Sequence, residues 1–224
     1  MRKLTMLFCL LNLFANIGFC QEIKKDTRSQ LMKDDDMNEY NSELVSNLDL
    51  IESLELAGIR NFKFKLGEFD KKYNILLTVD EFESGKLVKS DTLMDESNEY
   101  DYYEVHGTTY FVDYFDQIKI FTKEGQNKLT LQIKTYSMSL NKVLTYKYID
   151  ENQYFNLRRY KNTAWQINKK IPLLVYASSW KDERGNERFC GAVNMVENEK
   201  FTEKIISSSP HYFLISYKVS DFLQ

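Results

Sequence analysis

The chain has few of the residues that crosslink, kink or loosen a backbone. Its 224 residues include three cysteines, two prolines and eight glycines. Two of the cysteines lie within the first twenty residues. Only Cys190 remains beyond them, and a single thiol forms no internal disulfide. The low proline and glycine content also argues against disorder outside the polar N-terminal segment. Stability must therefore come from a packed core.

Histidine is equally scarce, which limits the metal and nucleophilic sites that the chain can build. His106, His211 and Cys190 are too few and too far apart for a zinc site made of cysteine and histidine. The acidic run that begins at Asp34 lacks the glycine and the final glutamate of an EF-hand calcium loop. The Gly-x-Ser-x-Gly motif of serine hydrolases does not occur. We therefore expect no cofactor and no metal.

A large excess of basic residues is also missing. The formal net charge is −3, and it becomes −5 when the first twenty residues, with two basic and no acidic side chains, are removed. Nucleic acids and anionic lipids both attract clusters of lysine and arginine. The apolar run near the N-terminus is shorter than the roughly 20 residues that a membrane span needs. The sequence predicts no nucleic-acid partner and no membrane span.

Residues 1–20 have the layout of a secretory signal peptide. A short basic start precedes an apolar run over residues 4–13. Cleavage after Cys20 would place Gly18 and Cys20 at the two positions where the peptidase requires small side chains. In the alternative, Cys20 carries a lipid anchor, but a lipoprotein signal needs a small residue where this chain has Phe19. We expect export to the periplasm or the extracellular space as a soluble protein.

Aromatic residues are abundant, with 15 Tyr and 15 Phe, and they favour pleated sheet. Phe62 and Phe64 alternate with lysines, as in a strand with one buried face. The sequence predicts a mainly β fold, an antiparallel β-sandwich in the immunoglobulin-like style. After the strand at 59–66, the predicted strands cover residues 73–82, 86–93, 118–122, 129–136, 143–149, 154–160, 173–180, 188–193, 200–207 and 212–219.

Glycine-containing turns connect several of these strands. Ser84-Gly85, Glu124-Gly125 and Arg184-Gly185-Asn186 each lie between two apolar runs, which predicts hairpins. One short amphipathic helix is expected within residues 37–57, where apolar residues recur at helical spacing and Gly58 supplies the end.

A weak internal repeat suggests two units. A lysine pair precedes an apolar strand at Lys71-Lys72 and again at Lys169-Lys170, each time ahead of a hairpin. Two units of about 90 residues agree with the usual size of domains. A single β domain over residues 41–224 is the alternative. The predicted segments are a flexible charged tether at 21–40, an N-terminal helix with a β-sandwich unit at 41–138, and a C-terminal β-sandwich unit at 139–224.

Residues 100–115 are rich in tyrosine and phenylalanine interleaved with acidic residues. Rings provide contact area and acids fix orientation when such a surface binds a sugar or a protein. In a strand over 108–115, Phe111 and Phe115 would face the core, so Tyr110 and Tyr114 would face outward. These two tyrosines are the candidate ligand-binding residues, and no catalytic residue is predicted.

The sequence thus favours an exported, non-catalytic β-sandwich protein that binds a protein partner or a glycan in the bacterial envelope. A small secreted hydrolase is an alternative, with a carboxylate pair or Cys190 as its catalytic group. A structural subunit of the envelope is a third possibility.

Overall fold

The computed structural model describes residues 46–103, 111–146, 153–188 and 194–222. The chain divides after Ser53, and Leu54–Gln224 forms one compact unit. Within the described residues the helices are α1 (Asn47–Leu56) and α2 (Lys200–Ser208). The strands are β1 (Ile59–Lys65), β2 (Tyr73–Glu83), β3 (Lys86–Ser97), β4 (Glu99–Tyr103), β5 (Phe111–Tyr114), β6 (Gln117–Gly125), β7 (Lys128–Lys134), β8 (Ser139–Thr145), β9 (Phe155–Tyr160), β10 (Lys170–Ser178), β11 (Trp180–Lys181), β12 (Glu187–Arg188), β13 (Asn194–Met195) and β14 (His211–Asp221).

Two sheets pack face to face. One has the strand order β1-β6-β7-β8 and the other the order β13-β9-β10-β14-β2-β3. Neighbouring strands in both sheets are antiparallel, except β13 beside β9. Apolar side chains from both sheets form one continuous core between them. The predicted mainly β fold with an antiparallel sandwich is confirmed. The described residues contain no helix with the length and apolar character that a bilayer span requires.

Strand β14 shows how the sequence covers both faces of the larger sheet. Its side chains alternate, so Phe213, Ile215 and Tyr217 enter the core between the sheets. Tyr212 lies on the opposite face, in a second apolar cluster that includes Ile205 of α2. Helix α2 therefore covers the outer face of the six-stranded sheet.

The hairpin between β2 and β3 forms as predicted. Ser84 and Gly85 both have positive φ, 48° and 75°, which is the requirement of a type I′ turn. The predicted turn at Glu124-Gly125 is wrong by two residues, because Gly125 still pairs with Lys128 and the chain reverses at residues 126–127. Asn127 supplies the positive φ there, at 55°.

Two predicted strand boundaries also shift. The strand predicted at 143–149 is β8, which begins at Ser139 because Thr135 and Met138 close a tight turn just before it. The strand predicted at 173–180 is β10, which begins earlier, at Lys170. Pro172 lies beside a bulge, before the point where β9 starts to pair with β10 at Leu174.

The prediction of one helix and a strand at 200–207 is wrong, because these residues form helix α2. Their Ile205-Ile206 pair suggested a strand, yet the buried residues Thr202 and Ile205 are three positions apart, as on one face of a helix. Helix α1 lies inside the range predicted for it. Ser46 and Asp49 cap its start through reciprocal hydrogen bonds, and Gly58 follows its end with a φ of 73°.

The chain order of the six-stranded sheet joins distant segments. Strand β14 pairs with β2 along its whole length, from His211 opposite Glu83 to Asp221 opposite Tyr73. It also pairs with β10 on its other side. Strands from before and after residue 138 thus share one sheet.

Candidate functional site

A cleft of about 750 Å³ lies between the β11–β12 hairpin and helix α2. We call it the Trp180 cleft. Its volume is within the range of about 300–1,000 Å³ that small-ligand sites occupy. The lining residues are Trp180, Lys181, Asp182, Glu183, Arg184, Arg188, Phe201, Lys204, Ile205 and Ser208.

Asp182 organises the hairpin side of the cleft. Its Oδ1 accepts hydrogen bonds from the backbone N–H groups of Arg184 and Asn186, each at 2.9 Å. Its Oδ2 accepts one from Nε of Arg188 at 2.7 Å. The Arg188 guanidinium and these backbone N–H groups hold the pKa of the Asp182 carboxyl below its usual range. The aspartate is therefore ionised and committed to the turn.

Helix α2 is held against the six-stranded sheet by buried contacts. Ile205 is buried against Tyr160, Val175 and Met195 on the outer face of the sheet. Thr202 Oγ1 accepts a hydrogen bond from the backbone N–H of Val196 at 3.1 Å. These contacts fix the rotation of the helix, so that Phe201 and Lys204 face the cleft.

The cleft combines half-buried rings with exposed cations. Trp180 and Phe201 pack partly against the apolar cluster under α2 and leave ring surface in the cleft. Arg184 and Lys204 are exposed, and the part of the chain that the structure describes gives neither side chain an ion pair. Asp182 neutralises Arg188, and among the other charged lining residues Lys181, Arg184 and Lys204 outnumber Glu183, so the net charge of the cleft is positive. Such a surface can stack a flat ligand face and bind an anionic group beside it.

The comparison with protein families identifies the family of this chain. The model of a domain of unknown function, DUF5041, matches residues 30–221. The chain belongs to the DUF5041 family. No curated protein matches the chain. No solved structure matches it either. The matched range includes every residue that lines the Trp180 cleft, so the cleft is formed by the DUF5041 domain itself.

Of the two tyrosines predicted to bind a ligand, only Tyr114 lies in the described part of this DUF5041 chain, and it does not line the Trp180 cleft. Tyr110 lies outside the described residues. Tyr114 is half-buried at the end of β5, opposite Glu99. A ring from the same aromatic segment, Tyr100, stacks on Tyr136 with centroids 3.8 Å apart. These two rings, and not Tyr114, line a smaller cleft of about 270 Å³.

Some of the other residues considered in the sequence analysis lie outside the described residues, and some lie within them. Cys190, His106 and the acidic run at Asp34 lie outside the described residues, as does the predicted cleavage site at Cys20. His211 is described and buried, with its Nε2 2.9 Å from Oε1 of Glu81. The Trp180 cleft itself was not predicted. The sequence feature that could have indicated it is a tryptophan beside Lys181, just before the turn predicted at Arg184. The other side of the cleft is helix α2, and its residues were predicted as a strand at 200–207.

Proposed function

We propose that this DUF5041 protein is an exported, non-catalytic β-sandwich protein that binds an acidic glycan of the bacterial envelope in the Trp180 cleft. The observation that carries the proposal is the pairing of Trp180 and Phe201 with the exposed cations Arg184 and Lys204 in one concavity. Aromatic faces stack on the apolar face of a sugar ring. Arginine and lysine bind the carboxylate or sulfate groups that make a glycan acidic.

The shape of the site supports a glycan over a folded protein partner. Protein interfaces are broad, with about 800 Å² on each partner, whereas small-ligand sites are concave. A cleft of about 750 Å³ with aromatic and charged walls fits the second description. Within the described residues the flanking strands β11 and β12 have two residues each, so the part of this hairpin that is described offers a groove and no extended sheet edge.

The chemistry of Asp182 supports binding over hydrolysis. A glycoside hydrolase needs one carboxyl group whose pKa is raised, so that it can donate a proton to the leaving group. The pKa of the Asp182 carboxyl is shifted in the opposite direction by Arg188 and by backbone N–H groups. This carboxylate serves the turn and is a poor proton donor.

Export is the second part of the proposal and is supported by the signal-like residues 1–20. Envelope glycans that carry carboxylates lie outside the cytoplasmic membrane. An exported protein would meet them there. The net charge of −5 that remains without residues 1–20 does not hinder such binding, because the local charge of the cleft decides how a small anionic ligand is attracted.

The proposal is tested with the mature chain, residues 21–224, on an array of acidic and neutral oligosaccharides, followed by calorimetry of the hits. Trp180→Ala should weaken binding about tenfold or more, because buried aromatic anchors are among the strongest contacts. The double variant Arg184→Glu/Lys204→Glu should abolish selectivity for acidic over neutral sugars. The affinity of the unaltered protein should also fall as salt rises above about 0.15 M.

The matched control is Lys63→Glu/Lys123→Glu, which makes the same charge change at two exposed lysines of the four-stranded sheet. It should bind like the unaltered protein. Equal loss in both double variants would show that overall charge, and not the cleft, determines binding. Binding that survives Trp180→Ala and Arg184→Glu/Lys204→Glu unchanged would place the ligand elsewhere and overturn the proposal.

A further inference from the structure

A second group of polar side chains lies at one end of the β2–β14 strand pair, and none of its residues lines the Trp180 cleft. Glu81, Glu83 and His211, which we call the His211 cluster, each present one ligand atom, and these atoms lie within 4.8 Å of one another. Glu81 Oε1 is 2.9 Å from His211 Nε2. Glu83 is exposed, Glu81 is partly exposed, and His211 is buried.

The sheet register brings the three residues together. Glu81 and Glu83 are two positions apart on β2, so both side chains lie on the same face. His211 opens β14 directly opposite Glu83, and Phe213 follows opposite Glu81. The cluster thus lies on two paired strands of one sheet, and its backbone positions are held by the ladder of hydrogen bonds between them.

The imidazole is held in a fixed orientation. The ring of Phe155 meets it edge-on with centroids 5.6 Å apart, and the ring of Phe213 lies 4.9 Å away. The backbone N–H of His211 donates to Oγ of Ser178 at 3.2 Å. The buried ring therefore has little freedom to turn, and its Nε2 points to the carboxylates at the surface. Metal sites need such orientation of their ligands by the groups around them.

We propose that the His211 cluster is a binding site for a divalent transition-metal ion, with Zn²⁺ as the best match. One imidazole nitrogen and two carboxylate oxygens are a ligand set that Zn²⁺ accepts, with water completing the tetrahedron. Ca²⁺ and Mg²⁺ prefer all-oxygen shells of six or more ligands, so the histidine selects against them. Two carboxylates also balance the charge of the ion.

The distances agree with this ion. Zn²⁺ bonds of about 2.0–2.2 Å place neighbouring ligand atoms of a tetrahedron about 3.3–3.5 Å apart. Glu81 and His211 are already slightly closer than that, and the third atom lies within 4.8 Å. The exposed Glu83 side chain can rotate to close the remaining gap. The nearby ammonium of Lys89 is bonded to Asp91 at 2.9 Å, so a carboxylate outside the cluster already holds it.

The test is calorimetry and thermal unfolding of the mature protein with ZnCl2, and then with CaCl2. Zn²⁺ should raise the melting temperature by an amount that grows with the logarithm of its concentration above the Kd, and Ca²⁺ should not raise it. Co²⁺, used as a probe of the same site, should give the visible absorption of a four-coordinate ion. Glu83→Gln should weaken Zn²⁺ binding roughly tenfold or more, because it removes one of three protein ligands.

Glu83→Gln is the decisive variant, since it replaces an exposed carboxylate by an amide of the same shape and the fold is retained. The matched control is Glu96→Gln, an exposed glutamate on the neighbouring strand β3, which should bind Zn²⁺ like the unaltered protein. His211→Gln should abolish the Co²⁺ spectrum wherever the variant folds. Zn²⁺ affinity unchanged by Glu83→Gln, or no Zn²⁺ binding at about 1 mM, where only the weakest sites stay empty, would overturn the proposal.

Discussion

Asp91 links an edge strand of each sheet, β3 and β8. It lies on β3 of the six-stranded sheet, and its Oδ2 accepts hydrogen bonds from Lys142 of β8 at 2.7 Å and from Lys89 at 2.9 Å. Both lysines favour the charged carboxylate, so they hold its pKa below the ordinary value of 3.8. Unfolding separates the three groups, and the ionised aspartate loses these partners.

The substitution Asp91→Asn should therefore lower the melting temperature near neutral pH. A carboxyl group whose pKa is depressed in the folded state stabilises the fold above its unfolded pKa and loses that effect as the pH falls through the folded value. The gap between the variant and the unaltered protein should be full at about pH 7 and should close as the pH falls below the ordinary carboxyl value of 3.8. Thermal unfolding followed by circular dichroism across this range measures it.

Glu96→Gln is the control for this prediction, because Glu96 is exposed on the same strand and the described residues give it no ion pair. Its melting temperature should follow that of the unaltered protein at every pH. A pH-independent loss of stability in Asp91→Asn would show that packing, and not charge, explains the role of Asp91.

Single residues also show where alternation in the sequence is informative. Phe115 is 3% exposed and belongs to the core, while the adjacent Tyr114 is half-buried. The aromatic segment predicts Phe115 in the core, as found, and the outward, ligand-binding role of Tyr114 stays a prediction. The cause of the burial of Phe115 is also visible, because the backbone N–H of Phe115 donates to the carbonyl oxygen of Asn98 and holds the segment against the sandwich.

At the scale of elements, the β2–β3 hairpin offers a direct test of turn chemistry. Ser84 occupies the left-handed region with a φ of 48°, which costs a serine free energy that asparagine largely avoids. Ser84→Asn creates the Asn-Gly pair that type I′ turns favour most. It should raise the free energy of unfolding by roughly 0.5–1 kcal/mol, as measured by urea denaturation.

Gly85→Ala provides the opposite change at the neighbouring position. An added Cβ at Gly85 meets no atom within 4 Å, so any loss reports backbone strain alone. We expect a loss of about 1 kcal/mol, since a non-glycine residue pays that cost in the left-handed region. Stabilisation by Gly85→Ala, or destabilisation by Ser84→Asn, would contradict a type I′ turn.

Helix α2 is the element that sequence patterns described least well. Its Ile205-Ile206 pair has high strand propensity, but propensity is a weak guide when tertiary contacts oppose it. Here the outer face of the six-stranded sheet exposes Tyr160, Val175 and Tyr212, which need an apolar cover. A helix presents Ile205 to this face and turns its charged residues to solvent. A strand at the same place would need another partner strand as well.

At the scale of the whole molecule, the remaining prediction concerns the N-terminus after export. Residues 1–20 predict cleavage after Cys20, because the bulky Phe19 is unsuited to a lipoprotein signal. Mass spectrometry of the protein from an exporting host should find Gln21 as the first residue, with no diacylglycerol. Substituting Phe19→Ala tests the reason, since it supplies the small residue that lipidation requires. A lipidated mass for the unaltered chain would contradict the prediction and support an anchor at Cys20.

The mainly β architecture follows from the sequence alone, because the alternation of apolar and polar residues that defines strands is local. The runs that became β2, β3 and β14, and the Ser84-Gly85 turn between two of them, needed no knowledge of the fold. Their pairing did. Nothing local tells β14 to lie between β10 and β2, since that choice depends on which arrangement buries both faces of the sheet.

Both candidate sites depend on such long-range pairing. Trp180 and Lys204 face one cleft only because residues 200–208 form a helix that packs beside the β11–β12 hairpin. Glu81 and His211 are 130 positions apart in the chain and meet through the register of β2 with β14. The sequence determined which residues were available for these sites. Tertiary structure decided which of them meet, because contacts between distant segments are set by the burial of the whole core and not by any local pattern.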